Sequence, residues 1–325
     1  MDRENVILID WLSFTTTKYC PEELIEAFGL NGVSWQLTFG TRGYQSRYYF
    51  SGISIHFGGS QANMGCWFEC SGQGCRAFES YSSLDFSQVF ESILSEPEYF
   101  HITRLDIAYD DYTKTLDIQT LSRHTLNKHY RSKFDYNEVI QSTNGISIQF
   151  GSQKSDALIR IYDKLAERLS KIRNETEKEK VKNAIPQWLR IELQLRDERA
   201  YNFIRYMILD KLPIGEVYSG VVRNYLEFGS FYLNKDNKKV FKPYSYWNEF
   251  LSNSEKLKLF VSPGQDYNLE NCVNYVQNCA GNAVACLMEI YGKHFEKLIE
   301  RRKIAPNPKY QEIINKYNNK KQKEN

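Results

Sequence analysis

Three short segments alternate so strictly that they leave little choice of local structure. In TRLDIAYDD (103–111), Leu105, Ile107 and Tyr109 share one parity, and Arg104, Asp106, Ala108 and Asp110 share the other. In WLRIELQLR (188–196), Leu189, Ile191, Leu193 and Leu195 oppose Arg190, Glu192, Gln194 and Arg196. In LIRIYDK (158–164), Ile159, Ile161 and Asp163 oppose Arg160, Tyr162 and Lys164. Successive side chains of a strand point to opposite faces, so each segment reads as a strand with one polar face. If the three strands are neighbours in one sheet, those faces pool two or three carboxylates, a tyrosine, a lysine and several arginines. The plain alternative is a solvated antiparallel face whose charges pair across strands. Parity alone does not decide between them.

The pooled set has a definite chemistry. Carboxylates that converge repel one another unless a cation or a proton relieves them. Hard oxygen donors of this kind suit Mg2+ or Mn2+, and such an ion polarises a phosphoryl oxygen as a Lewis acid. A phenol is a poor nucleophile at neutral pH because its pKa lies near 10. A cation beside it favours the phenolate, and Lys164 shares the strand face of Tyr162.

Along the rest of the chain, strand patterns and helix patterns interleave. VILIDWLSFT (6–15) reads as a first strand, and PEELIEAFGL (21–30) as a helix begun by Pro21 and stopped at Asn31-Gly32. SWQLTF (34–39), SRYYFSGISIHFG (46–58) and MGCWFECSG (64–72) read as strands, and CRAFESY and DFSQVFESIL as helices. A second cycle starts at residue 101 and runs through the helix LDIQTLSRHTLNKH, two strands joined by GSQKS, a polar helical stretch at 164–183 and the strand at 186–200. No repeat of fixed period is visible. The expected fold is α+β, with a mainly antiparallel central sheet and flanking helices. Residues 1–211 form the expected catalytic domain. Residues 212–325 form a mostly helical C-terminal region that includes GEVYSGVVRNYLEF, SYWNEFLSN and CLMEIYGKHFEKLIERR.

Bulk properties exclude several classes. No apolar run approaches the roughly 20 residues that a membrane helix needs, and the acidic start MDRENVILID is unlike a signal peptide. The seven cysteines are irregularly spaced. They form no CxxC pair and suggest a reducing, cytoplasmic setting rather than a disulfide framework or a zinc site. SGQGCRAFE lacks the GK[ST] of a phosphate-binding loop and reads as a tight turn before a helix. The formal net charge is +2, with ten Lys or Arg against four Glu from Lys293 onward. Such a basic tail is compatible with DNA and is equally an ordinary solvated terminus.

The phrases IDWLSFT, SGQGCRAFE, TRLDIAYDD, IRIYDKLAER and WLRIELQLR occur in that order. Together they resemble the Rep_trans family of rolling-circle replication initiators and the related relaxases of plasmids, phages and integrative elements, over about residues 6–210. The resemblance implies a DNA nickase and strand transferase acting at an origin, similar in strategy and central sheet to the His-hydrophobe-His endonucleases but with a metal site built from carboxylates. It implies that Tyr162, in RIYDK, is the nucleophile, retaining the 5′ phosphate while the released 3′ hydroxyl primes synthesis. Asp106 and Asp110 become the first metal-ligand candidates, followed by Glu192 and then Asp10, with Asp111 a substitute for Asp110. Arg104, Arg160, Arg190 and Arg196 become candidate DNA contacts, and Glu167 an orienting partner of Lys164. Origin DNA and a host helicase are the implied partners, and a homodimer stays open. Two other readings remain: a DNA-binding replication or regulatory protein without cleavage activity, and a metal-dependent nuclease without a covalent step.

Overall fold

The computed structural model describes residues 4–61, 63–143, 145–255 and 281–294. The chain begins with β1 (Val6–Thr16), α1 (Pro21–Ala27), β2 (Gln36–Phe39), β3 (Tyr44–Phe50), β4 (Ile53–Gly59), β5 (Cys66–Ser71), α2 (Gly72–Tyr81) and α3 (Phe86–Ser95). It continues with β6 (Phe100–Asp111), α4 (Ile118–Leu126), β7 (Tyr130–Ser132), β8 (Asn137–Ser142), β9 (Gly145–Phe150), β10 (Ala157–Asp163), α5 (Lys164–Ser170), α6 (Glu175–Ala184), β11 (Leu189–Leu195) and α7 (Asp197–Ile208). Then come α8 (Ile214–Tyr225), β12 (Leu226–Leu233), β13 (Lys239–Pro243), α9 (Ser245–Glu255) and α10 (Gly281–Tyr291).

Ten strands form one antiparallel sheet in the order β2-β3-β4-β5-β1-β6-β11-β10-β9-β8. The α+β expectation holds. The order reads as two matching halves that meet at β1 and β6. Moving outward, β1, β5, β4, β3 and β2 correspond to β6, β11, β10, β9 and β8.

Register matches too. His56 faces Trp67 as Tyr162 faces Arg190, and Ser54 faces Glu69 as Arg160 faces Glu192. Trp11 and Asp106 face each other at the centre, where an approximate two-fold axis relates the halves. The connections differ in length, since a short loop joins β4 to β5 whereas α5 and α6 separate β10 from β11. Equivalent residues therefore recur at no single spacing, which is why the sequence shows no fixed period.

The apolar parity of each strand builds the core. Ile7, Ile9, Leu12 and Phe14 join Leu105, Ile107 and Tyr109, and Ile191, Leu193 and Leu195 extend the layer. Helices α1, α2, α3, α4, α7, α8 and α9 contribute to the same cluster, with Leu24, Phe78, Phe90, Leu121, Phe203, Val222 and Phe250 among their members. The buried thiols Cys70 and Cys75 stand 3.6 Å apart, so these cysteines are core residues.

Several elements differ from the sequence expectation. SRYYFSGISIHFG is two strands, because Ser51 and Gly52 take φ +45° and +88° and close a hairpin. The polar stretch 164–183 is two helices, the second started by Asn174, whose side chain accepts from the amides of Thr176 and Glu177. GEVYSGVVRNYLEF is helical only to Tyr225, and Leu226 opens β12, which pairs with β13 and β7 in a small second sheet. Strand β12 is buried at its first four residues and largely exposed at its last four, so it carries no clean alternation.

The first compact unit runs through residue 261, beyond the expected 211/212 division, and a second unit spans 262–325. Of the second, α10 and a short 3-10 turn at Gly292–His294 are described. The basic tail and the end of the expected helix at 286–302 lie outside the described residues.

Candidate active site on the polar face of the sheet

The sheet order places β6, β11 and β10 side by side, so the three polar faces do pool. What gathers them is a set of arginine–carboxylate pairs. Arg190 binds Asp110 through two hydrogen bonds, Nε to Oδ1 at 2.7 Å and Nη2 to Oδ2 at 2.8 Å. Its Nη1 lies 2.9 Å from Asp10. Arg104 grips Asp106 in the same forked way, at 2.8 and 2.5 Å. Arg160 stands 3.8 Å from Glu192. Planar guanidinium matches carboxylate in this geometry, and the match fixes direction as well as energy.

Asp10 reaches this group through a bulge. Ile9 pairs with Ile107 and Trp11 with Asp106, leaving Asp10 as an extra residue on β1. A bulge of this kind re-aims a side chain beside a site, and it explains why the alternation of IDWLSFT is blurred. Asp10 also lies at the start of α2, where a Cβ on Gly72 would sit 3.5 Å from its Oδ1. The partial positive charge of a helix N-terminus suits a carboxylate there. The remaining glycine of SGQG is structural: a Cβ on Gly74 would meet the Gly52 carbonyl oxygen at 2.1 Å.

Tyr162 lies near the end of β10, half-buried, beside a cavity of about 240 Å3 that Arg160, Ser147 and Glu167 also line. The strand then becomes α5, because the Asp163 side chain caps it by accepting from the Ala166 amide at 2.8 Å. That turn brings Lys164 Nζ to 3.5 Å from the Tyr162 hydroxyl. Lys164 makes its shorter bond, 2.6 Å, to Glu167, which also pairs with Lys171. Burial pushes the Tyr162 phenol well above its ordinary range, Glu192, Asp10 and Glu167 push the same way, and Arg190 opposes them. Lys164 is thus shared between the Tyr162 hydroxyl and Glu167, with its shorter bond to the carboxylate.

Asp106 shows the same crowding of negative charge. Burial raises its pKa to about 7, and Glu192 and Asp10 add to the rise against the pull of Arg104. Asp10, Asp106 and Glu192 therefore act on one another as hard oxygen donors that a cation would relieve, and in donor chemistry they fit Mg2+ or Mn2+. As placed, no three His, Cys, Asp or Glu side chains among the described residues converge into a metal-ligand cluster. Arg190 holds both oxygens of Asp110 just as Arg104 holds both of Asp106, so a cation at either carboxylate has to displace an arginine. Asp111 is a turn residue that accepts from the amides of Thr113, Thr115 and Leu116.

The four candidate arginines separate by environment. Arg160 lines the Tyr162 cavity. Arg190 is buried and taken up by two aspartates. Arg104 bridges outward, binding Asp106 while its guanidinium lies 4.1 Å from the Trp11 ring centroid. Arg196 lines a different cavity of about 260 Å3, on the β1–β5 half of the sheet, together with Trp11, His56, Trp67 and Glu69. Sequence reading passed over that second group. Its signal was present in the shared parity of Ser54 and His56 and of Trp67 and Glu69.

The chain matches two family models. The replication initiation factor model covers residues 100–302, and the model for the N-terminal domain of rolling circle replication initiation proteins covers 6–96. The boundary between them falls between α3 and β6, where one half of the sheet gives way to the other. The putative DNA relaxase NicK of Bacillus subtilis (strain 168) is 27% identical over 263 residues, which is 77% of this chain and 71% of that protein. The solved rolling circle replication initiator protein from Geobacillus stearothermophilus is similar with a TM-score of 0.68 and 28% identity, over 79% of this chain and 99% of that one.

Proposed function

This chain belongs to the replication initiation factor family of rolling-circle initiators, and from that premise we propose that it nicks and rejoins one strand of an origin DNA through Tyr162. The observation that carries the reading is the position of Tyr162, on a strand next to β11 and beside an open cavity, facing the carboxylate and arginine set. The similarity to a putative DNA relaxase and to a rolling circle replication initiator agrees with it.

In this reading the Tyr162 oxygen attacks a backbone phosphorus, and the bond to the 3′ oxygen breaks. The 5′ phosphate stays on tyrosine and the other fragment leaves with a free 3′ hydroxyl. Reversal by a 3′ hydroxyl rejoins the strand. Because its surroundings hold Tyr162 protonated, the phenol proton departs as attack proceeds, towards the carboxylates that face it, and a proton passes from them to the departing 3′ oxygen. Arg160, beside the same cavity, neutralises the phosphate charge that grows in the transition state. Lys164, held by Glu167, positions the hydroxyl. A divalent cation held by Asp10, Asp106 and Glu192 would supply Lewis-acid polarisation of the phosphate.

Origin DNA, melted at the nick, is the substrate, and a helicase is the expected co-worker in the cytoplasm. Incubating single-stranded origin oligonucleotides with Mg2+ or Mn2+ should give a protein–DNA adduct on a denaturing gel. The adduct should vanish in Tyr162→Phe. DNA bound without cleavage by either protein would favour a binding module instead, and cleavage without adduct a hydrolytic nuclease.

A further inference from the structure

The β1–β5 half repeats the active half strand for strand, but its chemistry is changed at most of the equivalent places. His56 stands where the other half has Tyr162, Trp67 where it has Arg190, and Arg47 where it has Ser147. One charged residue is kept: Glu69 occupies the place of Glu192. The result is a cavity of about 260 Å3 walled by two tryptophans, a histidine and arginines around a single carboxylate.

Its walls are prepared for a ligand. His56 is 2% exposed and stacks on Trp67 with ring centroids 4.4 Å apart, while Arg42 lies 4.9 Å from the Trp67 ring centroid. Three polar atoms of the lining are buried without a hydrogen-bond partner: Trp11 Nε1, His56 Nδ1 and Arg196 Nε. Buried polar groups in folded proteins are nearly all satisfied, so three around one cavity call for an explanation. Glu69 makes no ion pair within 4 Å among the described residues; burial raises its pKa, and the nearby Arg42, Arg104 and Arg47 offset that rise only in part. The cavity thus offers free donors, cationic walls and one acceptor carboxylate.

Those features select a ligand chemistry. A carboxylate is an acceptor only and can take two parallel N–H bonds. Guanine offers such a pair along one edge, N1–H with its exocyclic amine, and it presents O6 and N7 as acceptors to arginine. Thymine has one N–H between two carbonyl oxygens, which a carboxylate repels. Adenine and cytosine each pair an amine with a ring acceptor. Arginines also bind the strand's phosphates.

The cavity adjoins the active half directly, since Arg104 lines it while gripping Asp106. We propose that it is a nucleobase subsite, taking one guanine of the single strand whose scissile phosphate lies at Tyr162, with the base edge on Glu69 and its phosphate on Arg42 and Arg47. This rests on the DNA-nicking reading above.

The test uses the full chain carrying Tyr162→Phe, so that nothing is cut, and fluorescence anisotropy with labelled dT oligonucleotides at fixed salt. One probe is all dT, one carries a single central dG, and one carries inosine there, which lacks the exocyclic amine. The dG probe should bind about tenfold more tightly than all dT, with inosine between them. Adding Glu69→Gln should erase that advantage and leave binding of the dT probe within about twofold. Should Glu69→Gln fail to fold, the inosine probe on the Tyr162→Phe protein decides: it should bind more weakly than dG, because it lacks the amine that Glu69 receives, and equal binding of the two overturns the subsite. Equal affinity for dG and dT, or a guanine preference that survives Glu69→Gln, overturns the subsite while leaving the nicking reading intact. Absence of DNA binding with every probe overturns both.

Discussion

The two halves of the ten-stranded sheet share strand order and register, and they differ in what stands at equivalent places. In one, Arg190 and Arg160 are set against Asp110, Asp10 and Glu192 beside a tyrosine. In the other, Trp67 and His56 stack over the kept Glu69, and no inserted helix follows the strand. A backbone plan does not specify chemistry; the few side chains on its polar face do. The bulge at Asp10 adds a second lesson. It hands a carboxylate from the first half to the second, so the candidate active site draws on both.

The largest expected effect separates the halves by stability. Arg190→Met leaves the buried Asp110 and the half-buried Asp10 without their cation, and breaking such a pair costs about 3–5 kcal/mol. Urea unfolding should show a lower midpoint at an unchanged slope, the product of midpoint shift and slope equalling that loss. Glu69→Gln, in a half with no such clamp, should cost about 1 kcal/mol or less. Equal losses would break the comparison.

The next effect is one of pH. Burial, with Arg47 and Arg42 beside it, pushes His56 down to about 4, against about 6.5 in the unfolded chain. Between those values the unfolded state binds the extra proton, so the contribution is complete above pH 6.5 and is lost as pH falls towards 4. It amounts to something on the order of 3 kcal/mol. Replacing His56 with Phe should flatten stability over that window. Tyr162, its counterpart, stays protonated there and should contribute no slope.

The smallest effect concerns the inserted helix. Glu167 holds Lys164 and adds to the upward push on the Tyr162 phenol. Glu167→Gln should move the pH–rate profile of adduct formation to lower pH by less than about one unit. A shift the other way would mean that Glu167 helps the phenol ionise.

Much of this architecture was legible in the sequence, and for a physical reason. Leu105, Ile107, Ile191 and Leu193 alternate with charged residues because one face of their sheet is core, so strand and face could both be read. Their adjacency could not, since it depends on long-range pairing such as Glu192 opposite Ala108. The shared parity of Tyr162 and Lys164 was legible, but Lys164 begins α5 rather than continuing the strand, and the stronger hold of Glu167 on it depends on where α5 turns. The duplication was hidden because insertions shift each pair of equivalent strands by a different amount. The cavity around Glu69 went unread for the same reason. Its residues come from β1, the β2–β3 turn, β3, β4, β5, β6 and the chain just after β11, and only the fold assembles them.

The most direct test of the central claim is to trap the adduct on wild-type protein, digest it and locate the attached nucleotide by mass spectrometry. The account predicts one modified peptide, with a 5′-linked phosphate on Tyr162. A nucleotide found on any other tyrosine, or on a residue of the β1–β5 half, would contradict it.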